Sequence, residues 1–260
     1  MSDLHLERIR YGPDESIPRV APYLVFAGDV GRFCDYEQYK CFLNKQCAVF
    51  DRVFLVAGNH EFYGSSRDEG LDAAARLIAE PEADGKLTFM NRAKYDVPDT
   101  NIVILGCTLH SYIGPNYTRL TNDFARIKGW TVEHHNAEHQ ADRNWLESTL
   151  TNIAATDPDK QVVIVTHYAP AFVRTSHPKN ENSAVSPCFC SDTLETFSQW
   201  KGASLVTHWI FGHTHWNARF RSGITTVLSN CFCNDARNLS WLQKQIWYRA
   251  FDAEATITVP

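Results

Sequence analysis

What most constrains this chain is a recurring unit: a short apolar run of strand length that ends on a polar or charged residue. The runs are YLVFAGD (23–29), RVFLVAGN (52–59), NIVILGC (101–107), QVVIVTH (161–167) and LVTHWIFGH (205–213). They are rich in β-branched residues and lack polar alternation, which is how strands buried on both faces read. Helical patterns lie between them. DYEQYKCFLNK (35–45) opens with an acid at its positive end. EGLDAAARLIAE (69–80) spaces Leu71, Ala74, Ala75 and Ile78 along one helical face and stops at Pro81. The segment 131–150 starts with a Thr131 cap and sets Ala137, Ala141 and Trp145 four apart. Shorter strands are expected at 217–220, 225–229 and 245–250. Strands alternating with helices, then a strand-rich C-terminal part, predict a layered α/β fold. No repeat or long linker interrupts the 260 residues, so 1–260 reads as a single domain.

Composition narrows the function classes. With 44% apolar residues the chain can fill a large core. A net charge of −5 argues against a nucleic-acid partner, because phosphate tracking needs a basic stripe. No stretch approaches the ~20 apolar residues of a membrane span, and no apolar signal core is seen at the N-terminus. A cytoplasmic protein is the expectation. The 8 cysteines then read as reduced thiols. The two CFC pairs, Cys188 with Cys190 and Cys231 with Cys233, have a spacer shorter than zinc sites use. They read as small hydrophobes sharing a strand face. NYT at Asn116 and NLS at Asn238 match the glycosylation pattern but carry little meaning without a secretory route.

The chemistry sits where the apolar runs end. One ends at Asp29, another in Gly58, Asn59, His60 and Glu61, another at His167, and another in Gly212, His213, Thr214 and His215. In open α/β sheets ligands bind at the C-terminal strand ends, and glycine there lets the backbone turn sharply. The chain also starts with Asp3 and His5, which would share a face if that segment were extended. An acid and an imidazole suit a divalent metal, provided later segments supply partners.

Taken in order, SDLHLE, AGDV, AGNHEFY, VTHYAP and FGHTHWN resemble the motifs of the calcineurin-like metallophosphoesterase family. Looser likenesses, LGCTLHS (105–111), NDFARI (122–127), HQADRNWL (139–146) and Ser229-Asn230, fill the gaps. The resemblance implies an α/β/β/α sandwich of two mixed β-sheets flanked by helices, with the site at the strand ends. It implies two divalent metals, the first on Asp3, His5, Asp29 and His215 and the second on Asp29, Asn59, His167 and His213. Nitrogen and oxygen donors without thiolate suit manganese, iron, zinc or nickel. By the same resemblance a metal-bridging hydroxide attacks a small phosphomonoester or phosphodiester, nucleotides included. Asn59 and His60 then face the substrate, with His60 protonating the departing oxygen. A nuclease, or a binding module that has lost catalysis, are the alternatives.

Some expectations remain open at this stage. The apolar strand that the family places before Asp-x-His is absent here, so the chain is either a shortened version or holds its first metal on a loose segment. His135 and His139 stand four apart on a helix, which is ligand spacing, although His139 fits a role in supporting the cleft better. His110 and His177 could line the substrate entrance or face solvent. Glu61 has no assigned role beyond capping or holding His60. The oligomeric state is not legible.

Overall fold

A computed structural model describes residues 1–10, 17–181, 183–234 and 239–259; the NLS at Asn238 lies outside them. In chain order come β1 (Tyr23–Ala27), α1 (Tyr36–Val49), β2 (Arg52–Val56), α2 (Arg67–Ala79), β3 (Leu87–Phe89), β4 (Ala93–Asp96) and β5 (Ile102–Cys107). Then follow α3 (Asp123–Arg126), α4 (Val132–Thr156), β6 (Gln161–Thr166), α5 (Thr193–Phe197), β7 (Val206–Phe211), β8 (Arg219–Ser222), β9 (Thr225–Ser229) and α6 (Trp241–Trp247).

The strands form two sheets. One is parallel in the order β1-β2-β3; the other is mixed, in the order β4-β5-β6-β7-β9-β8. In the larger sheet β4 and β8 run antiparallel at the edges, and β5, β6, β7 and β9 run parallel. Side chains alternate between two cores, as the two-residue period of a strand requires. On β2, Phe54 and Val56 face the other sheet while Val53 and Leu55 face helices α1 and α2. On β6, Val163 and Val165 face inward to the same inter-sheet core, and Val162 and Ile164 pack with Leu146, Leu150 and Ile153 of α4. Burial on both faces explains the unbroken apolar runs, and the layers are α/β/β/α.

Helix signals locate the ends better than the faces. Thr131 Oγ accepts from the His134 N–H, and Ser66 with Glu69 forms a capping box that opens α2. The buried face of α2 is Gly70, Ala73, Ala74 and Leu77, one step from the expected stripe, and Ile78 is exposed. On α4 the buried face is His135, His139, Asp142, Leu146, Leu150 and Ile153 rather than Ala137, Ala141 and Trp145. Polar residues take core positions there because each finds a partner in the loop after β5. Of the short strands expected near the C-terminus, β9 falls where anticipated and β8 begins two residues late. The strand expected at 245–250 is instead the end of α6 and the coil after it. A Ser240–Gln243 capping box starts that helix. Neither CFC pair lies on a strand, and all eight cysteines are free thiols.

The N-terminal segment is not loose. Asp3 and His5 donate their N–H groups to Gly28 O and Asp29 O, each at 3.0 Å. On its other side Ser2 donates to Asn230 O at 3.1 Å, and Phe232 and Cys233 donate to Ser2 O and Asp3 O at 3.0 and 3.2 Å. The segment thus lies between the end of β1 and the chain after β9, joining the two sheets. It is not extended either: φ is 56° at Asp3 and 48° at His5.

Candidate metal centre

Two loops carry the first donors, and one buried carboxylate joins them. Glu61 accepts from the N–H groups of Asp29 (2.9 Å), Val30 (2.8 Å), Gly31 (3.3 Å) and Gly58 (2.6 Å), and from the Tyr39 hydroxyl (3.1 Å). This is the role that the sequence left open: Glu61 fixes the turn after β1 against the turn after β2. The approach is close enough that a Cβ on Gly58 would overlap Asp29 Oδ1 and the His167 ring. Glycine is required there by space rather than by backbone freedom.

The residues anticipated as donors converge. Asp3 Oδ1 lies 3.4 Å from His215 Nε2, and His5 Nε2 lies 3.0 Å from the same nitrogen. His167 Nε2 lies 3.3 Å from Asp29 Oδ1, 3.3 Å from Asn59 Oδ1 and 3.1 Å from His213 Nδ1. Asp29 Oδ2 is 3.9 Å from His5 Nε2, so this carboxylate stands between the two groups. The chain's distant segments meet: His213 N–H donates to both Asp3 oxygens at 3.1 Å.

Outer hydrogen bonds decide which nitrogen of each ring faces inward. His167 Nδ1–H donates to Ala27 O at 2.8 Å, and His5 Nδ1–H donates to Glu7 Oε1 at 3.3 Å. Each leaves an Nε2 lone pair aimed at other acceptors. His213 Nε2 is buried and finds no hydrogen-bond partner among the described residues. Ring nitrogens that face one another at 3.0–3.1 Å need a proton or a cation between them. Without a metal, a proton takes that role. Burial alone would lower the His167 pKa, but the Asp29 carboxylate outweighs it and raises it to about 9. His213, by contrast, is driven down by burial and by its neighbour His167. A divalent cation therefore fits this donor set, and Asp3-His5-His215 and Asp29-His167-His213 each have ligand atoms close enough to hold one.

His60 stands beside these two groups and forms a third possible metal-holding group with His5 and Asp29. Its N–H donates to Asp29 Oδ1 at 2.9 Å, its Nδ1 is 2.9 Å from Glu7 Oε1, and its ring stacks on Tyr63 at 4.2 Å. Burial raises the Glu7 pKa, but hydrogen bonds from His5 and His60 dominate and bring it to about 2. Glu7 was missed in the sequence, although it directly follows the Asp-x-His pair and its leucine.

Other histidines fall elsewhere. His139 Nδ1–H donates to Leu109 O at 2.8 Å, so it supports the loop after β5. His135 lies between Ser111 and the Trp130 indole, and neither histidine joins a metal-holding group among the described residues. His110 is buried rather than facing solvent, stacked on Tyr168 with ring centroids 5.4 Å apart, and it lines a small pocket shared with Asn59 and Asp123. His177 is half-buried against Trp216. No cysteine takes part in any such group among the described residues.

This arrangement belongs to a recognised class: the calcineurin-like phosphoesterase family profile matches residues 1–217, and the chain belongs to that family. An uncharacterized protein of Acanthamoeba polyphaga mimivirus is 26% identical over 250 residues, covering 85% of each chain. Among solved structures, phosphopantetheinyl hydrolase from Mycobacterium tuberculosis superposes with a TM-score of 0.62 at 15% identity, covering 89% of this chain and 87% of that one. A protein described as a 5′-nucleotidase from Staphylococcus aureus gives a TM-score of 0.51 at 17% identity, over 90% of this chain and 48% of that one. At such identities these two structures speak for the fold. Among the described residues no helix is long and apolar enough to cross a membrane.

Proposed function

We propose that residues 1–260 act as one domain that binds two divalent cations and hydrolyses a small phosphomonoester or phosphodiester. The observation that supports this best is Asp29, whose two oxygens face separate groups of nitrogen and oxygen donors. In this reading Asp3, His5, Asp29 and His215 hold one cation, and Asp29, Asn59, His167 and His213 hold the other. Bound cations supply Lewis-acid stabilisation of phosphoryl oxygens and acidify a water for attack.

The chain's own residues supply the rest. His60 is the general acid: with Nδ1 turned to Glu7, its Nε2 is the nitrogen left to meet the leaving oxygen. Glu7 orients the ring and favours its protonated form, and Tyr63 backs its face. His5 and His167 present Nε2 because their Nδ1–H groups are already engaged. Manganese, iron, zinc and nickel all suit the donors.

The test is a metal-reconstituted screen of p-nitrophenyl phosphate against bis-p-nitrophenyl phosphate, followed by cyclic and linear nucleotides. His60→Ala should keep its metal content and lose turnover by ~10²-fold or more. Loss of metal in that variant would make His60 a ligand instead. Turnover that survives Asn59→Ala or His167→Ala unchanged would refute the assignment.

A further inference from the structure

The carboxylate of Asp123, on the short helix α3, is almost fully buried at 1% exposure, yet it is not among the metal donors anticipated from the sequence. Its Oδ1 accepts from Asn59 Nδ2 at 2.8 Å and from the Tyr63 hydroxyl at 2.7 Å, and its Oδ2 accepts from the Tyr168 hydroxyl at 3.0 Å. Asn59 Nδ2 also donates to the Tyr63 oxygen at 3.0 Å.

A carboxamide can present either its oxygen or its nitrogen to a cleft, and only the oxygen is a metal donor. With both hydrogens of Asn59 Nδ2 directed at Asp123 and Tyr63, the oxygen has to face His167. The same carboxylate reaches two more parts of the site. Tyr63 stacks on His60 at 4.2 Å, and Tyr168 packs on His213 with ring centroids 4.0 Å apart. The two oxygens of this one carboxylate between them accept from all three donors and so hold them in place.

We infer that Asp123 is a positioning residue that orients the Asn59 carboxamide, oxygen inward, for one of the two metal sites, acting with Tyr63 and Tyr168. The inference rests on the reading of Asn59 as a metal donor. Loss of the carboxylate frees the amide to rotate and leaves both tyrosines to find new acceptors, which weakens one cation and leaves the other.

The experiment titrates Mn²⁺ into metal-free wild-type protein, Asp123→Asn and Asp123→Ala by calorimetry, alongside melting temperatures and p-nitrophenyl ester turnover. Wild type should bind two ions. The variants should keep one at unchanged affinity and bind the other ~10–100-fold more weakly, Ala more than Asn, with turnover restored by excess Mn²⁺. If Asp123→Ala does not fold, the isosteric Asp123→Asn carries the same measurement. Variants that melt lower yet bind both ions with wild-type affinity would overturn the inference alone and make Asp123 structural. Wild type that binds two ions but hydrolyses nothing would refute the proposed function and leave this inference standing. Wild type that binds no metal would refute both.

Discussion

Asp3, His5, Asp29, His213 and His215 all hold φ between 48° and 69°, a region that L-residues other than glycine rarely adopt. Each such residue costs about 1–3 kcal/mol and persists only where its surroundings hold it there. Here the surroundings are hydrogen bonds: Glu61 on the Asp29 turn, Asp3 on the His213 turn, and the Asp29 carbonyl on His5. Glu61→Gln should destabilise the fold by about 1–3 kcal/mol, because one inward oxygen becomes an N–H facing other N–H groups. Urea unfolding measures this, and an unchanged midpoint would contradict it. Gly58→Ala should lose metal along with stability, since its new Cβ collides with Asp29 and His167; elemental analysis of the purified variant checks it. That Asp29, Asn59, His167, His213 and His215 would converge was legible because a strand-end Asp, Asn or His is visible in the sequence. The strain was not, because nothing in SDLHLE distinguishes a left-handed turn from the extended segment it suggests. Nor were Glu7 and Asp123, whose importance arises only from partners far along the chain.

Helix α4 and the loop after β5 work as a pair. Asp142 accepts from the Leu109 N–H at 2.8 Å and from Arg92 at 2.8 Å, while Arg92 and Arg67 share Glu138. The helix was predicted with its apolar side inward, but this charged and imidazole-bearing side is the packed one. Amphipathicity failed as a guide because polar side chains with assured partners can be buried at little cost. The short strands β3 and β4 and the register of α2 were illegible for a related reason: short or weakly apolar elements carry too few residues to set a period. Caps, which depend on one local contact, were readable, as Thr131 shows. Ser66→Ala should therefore cost about 1 kcal/mol by removing the α2 capping box, seen as a lower melting temperature; no shift would mean the cap is redundant.

Across the whole molecule the acid response follows from histidines buried without charge. His135 is lowered from 6.5 to about 3, chiefly by burial and then by His110. In its neutral form the ring meets Ser111 at Nε2 and the Trp130 indole at Nδ1. The unfolded chain takes up this proton below pH 6.5 and the folded one does not until about 3, so stability falls as pH falls through that window. The slope is about 1.4 kcal/mol per unit from this group. His135→Gln should flatten the acid limb of a melting-temperature profile, and an unaltered slope would contradict the assignment. The layered α/β arrangement with a site at strand ends was legible from strand-length apolar runs and where they stop, whereas the division into two sheets rested on the family resemblance alone. That the N-terminal segment would join both sheets was not, since the bonds that hold it come from the turn after β1 and the chain after β9.

The most direct test of the central claim is the metal stoichiometry of Asp29→Ala against wild type, measured by elemental analysis after reconstitution with Mn²⁺. Two ions per wild-type chain, with both lost or sharply weakened when this one carboxylate is removed, is the predicted result. Retention of two tightly bound ions by the variant would show that Asp29 does not bridge them, and would contradict the account.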